Sequence, residues 1–205
     1  MIFASLLFTN PTVFCLVTLA VIPAISLHEY FHAQVALWCG DPTAAMRGHL
    51  TLNPLKQMGP LSIITFLLIG IAWGGVPVNP YNLNRRGRLL TSFAGPGMNF
   101  FLFLLAFFAC PVLEHFSNIP DLLKLYVFII GVYNLILFMF NILPIPGLDG
   151  WNILTEFVKF KNVTSEFFKG VMILLIFGLL MFFPYLTRIA TIVMDLSFYL
   201  FSGGN

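Results

Sequence analysis

The sequence contains little charge and little cysteine. Only 9% of its 205 residues are charged, and no stretch has the composition of a soluble domain. The net charge of +2 is too small to indicate a nucleic-acid-binding surface, so nucleic acid is not an expected partner. The three cysteines, Cys15, Cys39 and Cys110, lack CxxC spacing. They are therefore predicted to be small apolar residues and not metal or redox sites.

Hydrophobic residues are abundant instead. They make up 59% of the chain, which includes 24 phenylalanines and has a mean hydropathy of +0.94. Backbone polar groups in lipid must be satisfied within the chain, so long apolar runs predict helices. We predict an all-α, multi-pass protein of the cell membrane, in contact with the lipid bilayer, with about four to five transmembrane helices. A single domain over 1–205 is expected, with its core at 11–160 and one or two C-terminal apolar helices at 168–201.

One of the apolar stretches is too short to cross a bilayer. The stretches lie at about 11–38, 61–76, 88–111, 122–144 and 168–201. Crossing requires about 20 residues, and glycines and prolines interrupt the 61–76 stretch. We predict a re-entrant hairpin within residues 48–80. Its return, WGGVPVNP at 73–80, is either an extended edge strand that holds a substrate or a plain loop.

The distribution of basic residues favours the hairpin. With a hairpin, the loops before residue 170 divide into eight basic residues on one side and one, Lys124, on the other. If 61–76 spanned, the division would be six to three. Since basic loops face the cytoplasm, residues 39–90 and 145–169 are predicted to be cytoplasmic. The basic residues on that side are Arg47, Lys56, Arg85, Arg86, Arg88, Lys159, Lys161 and Lys169.

The segment SLHEYFHAQ at 26–34 places ionisable residues inside an apolar run. His28 and His32 are four residues apart, so on a helix they share one face and can bind the same ion. Glu29 lies beside them. Catalytic zinc takes three protein ligands and keeps one position for water, whose proton a neighbouring carboxylate can accept. This pattern is typical of a metal-dependent hydrolase.

A third ligand must come from another part of the chain. Asp41 is nearest in sequence, but it begins a loop. The better candidate is Asp149 in FNILPIPGLDGWNIL at 140–154, where prolines and a glycine break a membrane helix. Non-helical backbone at this depth is tolerated where it lines a polar cavity. The hairpin topology also brings Asp149 to the same side as His28 and His32. We therefore predict one zinc ion held by His28, His32 and Asp149, accessible from the cytoplasmic side.

Two asparagines, Asn134 and Asn141, lie seven residues apart and so share a helix face. They either form a polar track toward the metal or make ordinary hydrogen bonds between helices. We predict a functional role for Asn141 and a packing role for Asn134.

Six motifs are recognisable together, three of them within segments already quoted: HEYFHA at 28–33, GDPTA at 40–44, LTLNPL at 50–55, VPVNP at 76–80, FAGPGMN at 93–99 and NILPIPGLDG at 141–150. In this order and spacing the chain resembles the site-2 protease family of intramembrane zinc metalloproteases over about residues 20–160. It is most similar to short prokaryotic members without appended domains.

The resemblance assigns roles to individual residues. It implies that His28, His32 and Asp149 bind zinc, that Glu29 is the general base, and that Asn141 helps hold the substrate carbonyl or oxyanion. Asn99 would have a structural or substrate-facing role. After LNPL, similar proteins often carry a histidine and then an aspartate, where this chain has Gln57 and Gly59. The contact made by that pair is therefore not expected here.

The sequence thus predicts a zinc-dependent intramembrane endopeptidase. Its substrate would be a single-span membrane protein or a membrane peptide, cleaved in or near its transmembrane segment. One alternative is a protease-like scaffold that binds zinc or client helices without cleaving them, although the intact Glu29 argues against it. Another is a metal-ion transporter, which predicts polar residues along several helices, whereas few occur beyond Asn134 and Asn141.

Overall fold

The computed structural model describes residues 3–158 and 165–201, and within these ranges it is helical with no β-strand. Short 3₁₀ turns occur at Phe3–Ser5 and Pro80–Asn82. The helices are α1 Leu6–Thr9, α2 Pro11–Trp38, α3 Thr43–Met46, α4 Pro54–Gln57, α5 Gly59–Ile69, α6 Arg85–Glu114, α7 Asp121–Asn141, α8 Asp149–Thr155 and α9 Ser165–Phe201. The all-α prediction is confirmed.

Four helices in the described part of the chain are long and apolar enough to cross a membrane. They are α2, α6, α7 and the Met181–Phe201 part of α9. The shortest of these segments has 21 residues, which at about 1.5 Å per residue spans the ~30 Å hydrocarbon core. The chain is therefore a multi-pass membrane protein, at the lower end of the predicted number of spans.

Successive spans run in opposite directions. His28 and His32 of α2 contact Asn99 and Thr91 of α6 in reversed order. Helices α6 and α7 show the same reversed order, since Asn99 contacts Asn134 and Ala106 lies against Gly131. So do α7 and α9, where Phe128 stacks on Phe198 and Gly131 lies against Met194. The ends of α2 and α7 and the start of α6 consequently lie on one side of the bundle. This side carries the metal-binding motif.

The close packing of α7 against α9 depends on a small residue. A Cβ atom at Gly131 would lie 2.4 Å from the Cε atom of Met194, which is fully buried. Small residues let membrane helices approach each other, since van der Waals packing and not water exclusion holds them together. A cluster of buried hydrophobic side chains, which includes Leu16, Phe66 and Ile129, joins α2, α5 and α7.

The predicted hairpin is present, and its return is a loop and not an edge strand. After α5, Gly70 adopts φ +81°, and the chain reverses direction. The Ser62 hydroxyl donates to the Trp73 carbonyl at 2.6 Å and accepts from the Trp73 N–H at 2.9 Å. The Gly75 N–H then donates to the Gln57 carbonyl at 3.0 Å. Residues 71–79 have no regular secondary structure, because no neighbouring segment among the described residues pairs with this arm.

Gln57 ties the loop before α5 to its surroundings. Its side chain is 1% exposed, and its amide donates to the carbonyls of His49, at 2.9 Å, and Thr51. Gly59, with φ +75°, begins α5. Of the two positions that depart from the family pattern, Gln57 therefore supports the loop through contacts to the backbone, and Gly59 provides the positive φ at the start of α5.

The C-terminal apolar stretch is one continuous helix, α9, which contains Pro184. Of the two alternatives, the structure therefore has a single helix and not a span followed by a separate surface helix. Lys159 and Lys161, which contributed to the predicted charge bias, lie outside the described residues.

Candidate metal centre

His28 and His32 form one side of a buried polar cluster. They lie one turn apart on α2, with 6% and 7% of their surfaces exposed. Their Nε2 atoms are 3.0 Å apart. The i, i+4 spacing therefore directs both imidazoles to a single point, as their sequence positions predict.

Asp149 reaches the same point from a segment about 120 residues further along the chain. Pro144 and Pro146 prevent α7 from continuing, and Gly147, with φ +95°, makes a turn that other residues rarely adopt. Helix α8 then begins at Asp149, whose Oδ2 atom lies 3.1 Å from Nε2 of His28 and 3.2 Å from Nε2 of His32. These three residues form a group of possible metal ligands.

The hydrogen bonds behind the histidines determine which nitrogen faces the centre. Nδ1 of His32 lies 2.6 Å from the Thr91 carbonyl, which can only accept, so this nitrogen must donate. Nδ1 of His28 lies 2.6 Å from Oδ1 of Asn99 and donates likewise. In the neutral rings both Nε2 atoms therefore present lone pairs toward each other and toward the Asp149 carboxylate.

Three lone-pair atoms at this separation repel one another unless a metal ion or a proton lies between them. Their spacing of 3.0–3.2 Å also fits a metal site, because ligands about 2.0–2.1 Å from tetrahedral zinc are separated by about 3.3 Å. Two neutral imidazoles and a carboxylate are a typical ligand set for catalytic zinc. The residues present therefore fit a zinc ion.

Glu29 faces a cavity that adjoins the three ligands. The cavity has a volume of about 640 Å³ and is lined on one side by the returning arm of the hairpin. Gly74 of that arm lies directly against Glu29, since a Cβ atom there would be 2.4 Å from Oε1 of Glu29. The absence of a side chain at residue 74 thus leaves room for the carboxylate.

Asn141 lines the same cavity at the end of α7. Its Nδ2 donates to the Leu137 carbonyl at 3.0 Å. An amide nitrogen carries two protons, so one remains for a group bound in the cavity. Asn141 is thus a wall of the cavity and not part of the ligand cluster.

The other candidate ligand from the sequence, Asp41, has a structural role. Its carboxylate is fully buried and accepts from Thr43, from the Asn79 N–H at 2.7 Å and from the Asn82 amide at 2.8 Å. Burial raises the pKa of Asp41, but these hydrogen bonds outweigh it and hold the pKa below its ordinary value. Asp41 therefore fastens the loop after α2 to the end of the returning arm.

An ion pair fastens α8, which carries Asp149, to the start of α6. Nε and Nη2 of Arg88 both donate to the Glu156 carboxylate, at 2.5 and 2.9 Å. Arg85 also lies over the Phe157 ring, 5.1 Å from its centroid. The Arg88 guanidinium holds the pKa of Glu156 below its ordinary value. The two ends of α8 are therefore both held, one by the ligand cluster and one by this pair.

We expect Glu156→Gln to lower the Tm of the purified protein at pH 7 by about 2 °C. Because the folded-state pKa of Glu156 is depressed, its stabilisation is present above the ordinary carboxyl pKa of 4.5 and is lost as pH falls through the lower folded value. The Tm difference should therefore disappear in acid. Glu114→Gln is the control, since Glu114 pairs with Lys124 and is half exposed. A Tm difference independent of pH would contradict this account.

Several residues that shape the site were not predicted from the sequence. The Thr91 carbonyl is a backbone group and has no sequence signature. Gly95 and Gly74 are required because side chains from other helices approach them. Asn99 lay within a recognisable motif, yet its contact with His28 depends on how α2 and α6 pack.

Comparison with proteins of known sequence identifies relatives from several bacteria. A protein named "Putative zinc metalloprotease YwhC", from Bacillus subtilis, is 35% identical over 172 residues, which cover 78% of each chain. Two proteins named "Putative zinc metalloprotease Rip2" are each 34% identical to this chain. The match to the one from Mycobacterium tuberculosis extends over 146 residues, which are 68% of this chain and 56% of the relative. The match to the one from Mycolicibacterium smegmatis extends over 155 residues, which are 69% of this chain and 57% of the relative. The chain thus spans little more than half of the Rip2 proteins. No family model and no solved structure matches the chain.

Proposed function

The chain belongs to the site-2 protease family of zinc metalloproteases, and we propose that it is a zinc-dependent endopeptidase that cleaves other membrane proteins in or near their transmembrane segments. One observation carries the proposal: a buried ligand set beside a carboxylate, inside a bundle of membrane-spanning helices. His32 and His28 precede the end of α2 at Trp38 by about 9 and 15 Å along the helix axis. A peptide bond cleaved there would lie below the membrane surface.

The chain's own residues supply the proton transfers. When bound to His28, His32 and Asp149, zinc would act as a Lewis acid that polarises the scissile carbonyl and acidifies water. Glu29 accepts a proton from the attacking water and delivers it to the nitrogen of the leaving amine. Asn141 donates its free amide proton to the oxygen that gains negative charge.

The returning arm of the hairpin is suited to hold an unwound substrate. A peptide bond inside a helix is already hydrogen-bonded and sterically shielded, so the substrate must be unwound before attack. Gly74, Val76 and Val78 of the arm line the cavity beside Glu29. A substrate segment extended along this arm could pair with its backbone groups, which no strand of the described chain occupies.

The arm's contact with Glu29 can be tested by two neighbouring substitutions. We expect Gly74→Ala to reduce kcat at least tenfold, because the new Cβ would displace the Glu29 carboxylate. Gly75→Ala is the matched control, since a Cβ atom there meets no atom within 4 Å. Zinc content should be equal in both variants. An equal loss of activity in the two would contradict a specific contact at residue 74.

We further propose that the protein resides in the cytoplasmic membrane with its cavity open to the cytoplasm. The basic residues Arg47, Lys56, Arg85, Arg86 and Arg88 follow the end of α2 or begin α6, and so lie at the end of the bundle that carries the ligand cluster. Positively charged loops are retained in the cytoplasm. This orientation is tested with single cysteines introduced by Arg47→Cys or Asn118→Cys and labelled in intact cells. We expect a membrane-impermeant thiol reagent to react with the cysteine at residue 118 and not with the one at residue 47.

Proteolysis is tested with purified protein in liposomes that contain a single-span membrane protein. We expect fragments that a zinc chelator abolishes and added zinc restores. Capture of the substrate or of zinc without fragments would favour the scaffold. Movement of zinc into sealed liposomes without fragments would favour the transporter.

A further inference from the structure

We propose that Asn134, on α7, determines which nitrogen of His28 faces the metal, acting through Asn99. This inference rests on the proposed zinc site. It makes Asn134 a positioning residue for a ligand that it does not touch, whereas the sequence predicted only a packing role for it.

A continuous series of hydrogen bonds links Asn134 of α7 to His28 of α2 through Asn99 of α6. Nδ2 of Asn134 donates to the Ile130 carbonyl at 2.9 Å. Nδ2 of Asn99 donates to Oδ1 of Asn134 at 2.9 Å, and Oδ1 of Asn99 lies 2.6 Å from Nδ1 of His28. Asn99 and Asn134 are 0% and 1% exposed, so water does not substitute for these partners.

The Ile130 carbonyl, at the end of this series away from His28, determines the direction of its hydrogen bonds. A carboxamide has a donating and an accepting side, and either side of Asn99 could face His28. The Ile130 carbonyl can only accept, so Asn134 must turn its amide group toward it and its oxygen toward Asn99. Asn99 must then donate to Asn134 and present its own oxygen to His28.

This orientation matters for metal binding. Because the oxygen of Asn99 accepts from Nδ1 of His28, that nitrogen keeps its proton, and Nε2 offers its lone pair to the metal. If Asn99 were reversed, its amide would donate to Nδ1, and the imidazole proton would move to Nε2. His28 could not then act as a ligand through Nε2.

The test is the zinc affinity of purified protein, measured by competition with a chelating dye. We expect Asn134→Leu, which removes the acceptor for Asn99, to weaken zinc binding at least tenfold. Asn141→Leu is the matched control: it makes the same change on the same helix and removes an equivalent bond to an i−4 carbonyl. Its zinc affinity should stay within about threefold of the wild type.

A second background separates positioning from packing. In Asn99→Asp both carboxylate oxygens accept, so His28 is oriented whichever way residue 99 turns. Asn134→Leu should therefore cost less than about threefold in zinc affinity in this background. A purely structural role for Asn134 would give the same cost in both backgrounds.

The outcomes are distinct for each claim. If the wild type does not bind zinc, the proposed function fails. If the wild type binds zinc and Asn134→Leu binds it equally well, or the cost persists with Asn99→Asp, the positioning role is wrong. Should Asn134→Leu not fold, Asn134→Ala removes the same acceptor with a smaller side chain. Asn134→Asp, which when protonated keeps both bonds, should retain wild-type affinity.

Discussion

Replacement of Glu29 by glutamine is expected to lower the rate of peptide hydrolysis by about 10²–10⁴-fold while leaving one zinc ion bound per chain. Glutamine has nearly the same shape but cannot accept a proton from water. Glu29 is 8% exposed and lies against Gly74, so the amide occupies the same space. The measurement is single-turnover cleavage of a membrane substrate, with zinc content determined by elemental analysis of the same sample.

Glu114→Gln provides the control for this experiment. Glu114 lies at the end of α6, on the side of the bundle opposite the ligand cluster, and pairs with Lys124. We expect it to retain wild-type activity and zinc. Two results would contradict the assignment of Glu29 as general base: full activity of Glu29→Gln, or loss of zinc from that variant, which would make Glu29 part of the metal site.

Gly95→Ala is also expected to have a large effect, but on zinc affinity and not on the chemical step. A Cβ atom at residue 95 would lie 2.2 Å from Nε2 of His32 and 2.5 Å from Nε2 of His28. Real Cβ atoms do not approach other atoms this closely, and the imidazoles are held from behind by Asn99 and Thr91. We therefore expect zinc affinity to fall at least about 100-fold, with loss of activity at low zinc.

Gly97→Ala tests whether this effect is specific. Gly97 belongs to the same helix and the same motif, but a Cβ atom there would meet only the ring of Phe93, at 3.2 Å, and a side chain can move aside. We expect Gly97→Ala to bind zinc as the wild type does. If Gly95→Ala bound zinc normally, the packing of α6 against the ligand histidines would be wrong.

The sequence predicts the ligand cluster well because each ligand leaves a local signal. His28 and His32 have helical spacing, and Asp149 follows a run of prolines and glycine that breaks a membrane helix. Polar residues in an apolar run are costly, so they indicate function even without a known fold. The structure brings these three side chains to one point.

The supporting residues could not be predicted in the same way. Gly95 and Gly74 are small because atoms from other segments come close, and that proximity arises only when α2, α6 and the hairpin pack together. Asn134 reads as an ordinary packing residue because its effect on His28 passes through a second side chain. The hairpin followed from the short apolar stretch, whereas the absence of a strand in its returning arm depended on the lack of a neighbouring strand to pair with.

Mapping the cleaved bond in a single-span substrate tests the central claim most directly. The purified protein and the substrate are reconstituted in liposomes, and the fragments are sequenced by mass spectrometry, with Glu29→Gln in parallel. The depth of His28 and His32 predicts cleavage within the apolar segment, about 9–15 Å from the end that lies level with Trp38, in the wild type alone. Cleavage confined to the water-exposed part of the substrate, or the same fragments from Glu29→Gln, would contradict the account.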